Sequence, residues 1–171
     1  MAEPVSVLFV CLGNICRSPM AEGVFRNLTN FNTPEQHPLI SRIDSCGTGA
    51  YHSGDGPDPR TMSVLAENGL KGYKHQARKI QPEDFADFDY VIAMDASNLA
   101  DLKAFGRRSK KVDADGWERK VRLFGEFGGQ DKREEVGDPY YGGRDGFEIA
   151  YEQVTRCGQG LLKEIEERGV K

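Results

Sequence analysis

The sequence predicts an α/β fold: a doubly wound, four-stranded parallel sheet held between two layers of helices. Three observations carry that prediction. Short apolar runs of strand length, beginning with Val5–Val10, alternate with segments whose apolar residues recur at helical spacing. The first strand–helix–strand alternation is complete by Asp44, the length of a βαβ unit with its right-handed crossover. The chain has 171 residues, with no internal repeat, low-complexity tract or linker, so residues 1–171 are expected to form one domain.

Taken in order, Val5–Val10 reads as a strand covered on both faces. Ser18 is expected to cap the following helix, with Pro19 at its first position and Met20, Ala21, Val24, Phe25 and Leu28 along its apolar face. Leu39–Asp44 is the second strand. Gly47, Gly49, Gly54, Gly56 and Pro57 mark a loop, and Asp58-Pro59 opens a helix that ends near Gly69. Tyr90–Met94 is the third strand, Ala96–Phe105 a helix closed by Gly106, and Val121–Phe127 the fourth strand. The last helix is the clearest: Asp145 caps it, Glu148 follows three places on, and Phe147, Ala150, Tyr151, Val154, Cys157, Leu161, Leu162 and Ile165 form its stripe. The whole is a flavodoxin/Rossmann-like three-layer sandwich.

Composition narrows the function. Hydrophobic residues make up 38% and charged residues 29% of the chain, as in a folded soluble protein. A net charge of −4 gives no reason to expect nucleic acid or an anionic membrane as partner. The basic run Arg107–Lys111 reads as a solvated loop because Asp113 and Asp115 follow it. No stretch approaches the about 18 apolar residues of a membrane span. No Lys or Arg precedes the first apolar run and no glycine follows Met1, so neither a signal peptide nor myristoylation is indicated. Cys11, Cys16, Cys46 and Cys157 are too few for a disulfide framework, so reduced thiols and a cytoplasmic location are expected. Their spacing does not suit zinc, and neither metal nor cofactor is expected.

The loop Cys11–Arg17 carries the chemistry. In doubly wound sheets ligands sit outside the carboxyl ends of the strands, where strand order reverses. A strand that gives way to a helix within seven residues turns backbone N–H groups inward as an anion nest. Gly13 and Asn14 tolerate the left-handed backbone such a turn needs. Arg17 adds a planar fork for two oxygens, so the cradle suits a tetrahedral oxyanion such as phosphate, vanadate or sulfate. The same field favours the thiolate of a cysteine placed there, and Ser18 can donate a hydrogen bond to it. A thiolate beneath a phosphate is placed for in-line attack. The Gly-Lys-Ser/Thr ending of a nucleotide P-loop is missing. A lone cysteine would read as a small buried hydrophobe; its company of Arg17, Ser18-Pro19 and Gly13-Asn14 favours a nucleophile.

The segments "VLFVCLGNICRSPMAEGVF", "DSCGTGAYHSGDGPDPR", "HQARKIQPEDFADFDYVIAMDASNL" and "DPYYGG" resemble, in that order, segments of the low-molecular-weight protein tyrosine phosphatases. Residues 107–119 and 128–137 diverge from that pattern. The resemblance implies phosphotyrosine proteins and small aryl phosphates as substrates, hydrolysed through a phosphocysteine intermediate. It places Asp138 as the general acid that protonates the leaving phenol and then activates water. It implies that Leu12, Gly13, Asn14, Ile15, Cys16 and Ser18 bind substrate, with Tyr51 and Tyr140 as aromatic walls. Related phosphoarginine phosphatases carry Thr in place of Ile15, which points to tyrosine. The resemblance further implies that Asn14, Ser45 and His75 brace the loop, with Asp95 beside them. It also implies that Cys16 pairs with Cys11 under oxidation, and that Tyr140 and Tyr141 are kinase targets.

Read bare, Asp138-Pro139 is equally a turn, His75 a structural histidine, Cys16 a packing residue, and Tyr140-Tyr141 exposed loop aromatics. Cys46 and Cys157 read as structural. An arsenate reductase of this fold would relay oxidation to a downstream cysteine pair, which Cys46 and Cys157 do not form. A phosphotyrosine-binding module would be expected to lack Cys11 or Asp138, and both are present.

Overall fold

The expected βα alternation is present in a computed structural model that describes residues 2–112 and 115–170. Its elements are β1 (Val5–Cys11), α1 (Arg17–Leu28), β2 (Ile40–Gly47), α2 (Pro59–Glu67), α3 (Asp84–Asp87), β3 (Tyr90–Ala93), α4 (Ala96–Arg108), β4 (Val121–Leu123) and α5 (Arg144–Val170). The strands form one sheet in the order β2-β1-β3-β4, every pair parallel. β1 pairs with β2 on one side and β3 on the other, so the order reverses at the end of β1. The loop after β1 therefore leaves the sheet at the switch point.

Period-two alternation along β1 sorts its side chains between two cores. Val7, Phe9 and Cys11 face a cluster built with α1, α2 and α5, including Phe25, Leu65, Phe147 and Val154. Leu8 and Val10 face the other cluster, with Phe85 of α3 and Leu102 of α4. Phe9 is fully buried between Phe25, at 5.6 Å between ring centroids, and Phe124, at 5.2 Å. Edge-on and tilted pairs of this kind add about 0.5–1.5 kcal/mol each beyond burial.

Several expected boundaries move. α1 begins at Arg17 with Cys16 as its cap and no capping side chain, so Ser18 lies inside the helix. The Ser18 hydroxyl meets the Cys11 sulfur, the Cys46 carbonyl and the Asn14 amide instead. β2 runs on to Gly47 because its last residues pair with the end of β1. α4 continues through Gly106 to Arg108: the missing Cβ leaves room for the Trp117 ring, and Arg107 and Arg108 suit the negative end of the helix. The start of the basic run is thus helical, with Arg107 3.0 Å from Glu118; Asp113 lies outside the described residues. β4 stops at Leu123, and Phe124–Phe127 form a 3-10 turn whose Phe124 is buried under α5. α5 begins at Arg144, which puts Asp145 in its first turn rather than at its cap. Asp58 caps α2 as expected, accepting the Arg60 N–H at 2.8 Å. α3 and the 3-10 turn Trp117–Lys120 have no counterpart in the sequence reading, being too short to show a period. No described helix is long and apolar enough to cross a membrane.

Candidate active site

Between β1 and α1 the backbone is held by its carbonyls. The Cys11 and Leu12 carbonyls accept from the Thr48 and Gly49 N–H groups, both at 2.9 Å. The Ile15 carbonyl accepts from the Asp58 N–H at 2.7 Å, and the Cys16 carbonyl from the Thr61 hydroxyl at 3.2 Å. In a trans peptide the C=O and the next N–H point in opposite directions. With the four carbonyls drawn outward to the β2–α2 loop and to α2, the N–H groups of Leu12, Gly13, Cys16 and Arg17 face the other way. Asn14 makes the turn in the left-handed region, at φ 59°, and its N–H meets the Cys11 sulfur at 3.3 Å. Such a ring of amides is an anion nest.

The Asn14 side chain is the hub behind the ring. Its Oδ1 accepts the Arg78 N–H at 3.0 Å, which settles the orientation of the amide. Its Nδ2 then donates to Ser18 Oγ at 2.9 Å and Ser45 Oγ at 3.0 Å. Because Ser18 already accepts there, its own proton is free for the Cys11 sulfur at 3.0 Å or the Cys46 carbonyl at 3.3 Å. His75 Nε2 lies 2.7 Å from the same Asn14 oxygen, which only accepts, so that nitrogen carries the proton. Burial pulls the His75 imidazole below its ordinary value, against the pull of Glu22 and Asp44. Ser45 and Tyr73 both donate to the buried Glu22 carboxylate, at 2.7 and 2.9 Å.

Arg17 is 3% exposed and enters from the first turn of α1. Its Nη1 donates to Asp95 Oδ2 at 2.5 Å and to the Val136 carbonyl at 3.0 Å. Asp95 Oδ1 accepts the Asn98 N–H at 2.7 Å, so one carboxylate both caps α4 and fixes the guanidinium. The other guanidinium edge, Nη2, stands 3.6 Å from Asp138 Oδ2. Burial works against the charge of Arg17, yet Cys11, Asp95 and Asp138 together hold it above its ordinary value. Asp138 Oδ1 accepts the Tyr140 N–H at 3.0 Å. The Asp138 carboxylate thus closes the turn with one oxygen and faces Arg17 with the other.

Cys11, Leu12, Gly13, Ile15, Cys16, Arg17, Tyr51, Asp138 and Tyr140 line one cavity of about 490 Å³. The structure sets Asn14 and Ser18, expected among the binding residues, behind the loop with Ser45 and His75, while Asp95 holds Arg17. Burial, then Asp58, pushes the Cys16 thiol well up, so it stays protonated at neutral pH. His52 and Tyr141 also line the cavity and were missed. His52 packs on Gly13 with its ring 6.2 Å from Tyr140; its position next to Tyr51 was the available signal. Arg60, bidentate to Asp58 at 3.1 and 3.0 Å, lies over the rings of Phe147 and Tyr140 and props that wall.

The sequence profile of the family described as low molecular weight phosphotyrosine protein phosphatase matches residues 6–171. The chain belongs to this family. The low molecular weight phosphotyrosine protein phosphatase of Schizosaccharomyces pombe is 50% identical over 168 residues, covering 96% of this chain and 99% of its own. The Homo sapiens member is 45% identical over 166 residues, covering 95% and 98%. Among solved structures, a protein tyrosine phosphatase from Entamoeba histolytica with Hepes in the active site superposes with a TM-score of 0.81 at 33% identity, covering 95% of this chain and 97% of that one. The phosphatase family thus shares both the sequence and the layered parallel fold of this chain.

Proposed function

We propose that the chain, with residues 1–171 as its single domain, is a protein tyrosine phosphatase hydrolysing phosphotyrosine and small aryl phosphates through a phosphocysteine intermediate. The observation that carries this reading is the Cys11 sulfur beneath outward-braced carbonyls, with Arg17 and Asp138 3.6 Å apart at the mouth. Cys11, as thiolate, attacks phosphorus as the bond to the phenolic oxygen breaks. Asp138 delivers its proton to that oxygen, so the group leaves as a neutral phenol. The phosphoryl oxygens meet the inward N–H groups and the Arg17 edge that faces Asp138, which balance their charge. Water then attacks the phosphocysteine, Asp138 takes its proton, and phosphate leaves as the thiolate is restored. Tyr51 and Tyr140 offer apolar faces to an aromatic ring. Four free, buried cysteines are in keeping with a reducing, cytoplasmic setting.

The test is hydrolysis of para-nitrophenyl phosphate in the presence of a chelator. Turnover that vanadate blocks and that Cys11→Ser abolishes is the expected result. Undiminished turnover in Cys11→Ser would remove the nucleophile and with it the mechanism.

A further inference from the structure

We propose that a second cavity beside the first receives an acidic side chain from the sequence flanking the phosphotyrosine. This rests on the phosphatase reading and extends it to substrate choice. The cavity measures about 250 Å³ and lies between the loop after β2, the Lys79–Ile80 segment and α4. It shares two residues, Leu12 and Tyr51, with the catalytic cavity. These two form the ridge between the cavities, 41% and 75% exposed, so an extended peptide with its phosphotyrosine in the first cavity can cross their apolar faces.

The ridge is built into the catalytic loop. The Tyr51 ring lies across Gly49, where any Cβ would collide with it. The Gly49 N–H in turn donates to the Leu12 carbonyl at 2.9 Å. Beyond the ridge, Ile80 and Phe105 give the second cavity an apolar floor, and Lys79 and Arg108 its charge. Neither cation has a side-chain hydrogen bond or ion pair among the described residues. Thr48 lines the same cavity, and its buried hydroxyl oxygen has no hydrogen-bond partner among the described residues. Asp101 also lines it, so two cations face one carboxylate and the lining carries net positive charge. Two cations without ion pairs, set against a single carboxylate, suit an acidic side chain, which accepts from both. The apolar floor lowers the local dielectric and strengthens the attraction.

The experiment uses phosphotyrosine peptides with an alanine background, carrying one Glu or one Lys at each of the three positions on either side of the phosphotyrosine. A single charge at a cavity rim is expected to change kcat/KM by about threefold to tenfold. Glu should raise kcat/KM at one or more positions, Lys should lower it there, and added salt should flatten the difference. In Lys79→Glu/Arg108→Glu the ratio of the Glu peptide to the alanine peptide should fall to one or below. Equal rates across the panel, a preference for Lys, or an acidic preference unmoved in the double variant would each overturn the assignment. Failure of the parent to hydrolyse even the alanine peptide would bring down the phosphatase reading as well, whereas hydrolysis without charge discrimination removes the second cavity alone.

Discussion

At the scale of single residues, the spacing of Cys11 and Arg17 was legible because both chemistries, a sulfur nucleophile and a planar cation, are named by side-chain type. Asp138 was not, since an Asp-Pro turn and a proton donor look alike until the partner of each oxygen is known. One oxygen holds the Tyr140 N–H and the other faces Arg17. Asp138→Asn keeps the first contact and removes the transferable proton. It should lower kcat by about 10²–10⁴-fold, with KM unchanged or reduced. The loss should be greatest for phenols of high pKa, read from initial rates over a series of aryl phosphates. A loss equal across that series would contradict the acid role. His52 and Arg60 escaped notice because a wall residue carries no motif of its own, only a neighbour.

At the scale of elements, the strands and the long helices were legible from period, and their ends were not. Ser18 has the composition of a helix cap, but its hydroxyl is drawn to the buried Cys11 sulfur at 3.0 Å and the Cys46 carbonyl at 3.3 Å. Gly106 has the look of a terminator, but a tryptophan distant in sequence packs onto it. The segment 128–137 is held to α5 by Glu134. Its carboxylate takes Arg156 at 2.6 Å, and that guanidinium also bonds the Gly128 carbonyl at 2.9 Å. The Arg156 hydrogen bonds hold the Glu134 carboxyl below its ordinary value, against a smaller cost of burial. A carboxyl lowered on folding contributes stability above its unfolded value of about 4.3, lost as pH falls through the folded value. Glu134→Gln should therefore unfold at lower urea than the parent near pH 7, with the gap closing towards pH 3. A gap of the same size at both pH values would assign the effect to packing instead.

At the scale of the molecule, the parallel three-layer fold followed from alternation alone, whereas the strand order did not, because nothing local says which strand lies beside β1. The order matters, since it places the end of β1 at the reversal of the sheet and so opens the amide ring to solvent. The two cores on either side of β1 hold that end still. Phe9→Ala, which empties the junction of Phe25 and Phe124, should cost about 3–5 kcal/mol in urea denaturation. That is a large share of the about 5–15 kcal/mol typical of a domain. A cost below about 1 kcal/mol would mean that the core closes over the gap and that β1 is less rigidly clamped.

All three scales meet at one sulfur, and it can be observed directly. Asp138→Ala, quenched in acid during turnover of an aryl phosphate and digested, should yield a single phosphorylated peptide by mass spectrometry, with the phosphoryl group on Cys11. Hydrolysis that continues with the phosphoryl group on another residue, or on none, would contradict the account.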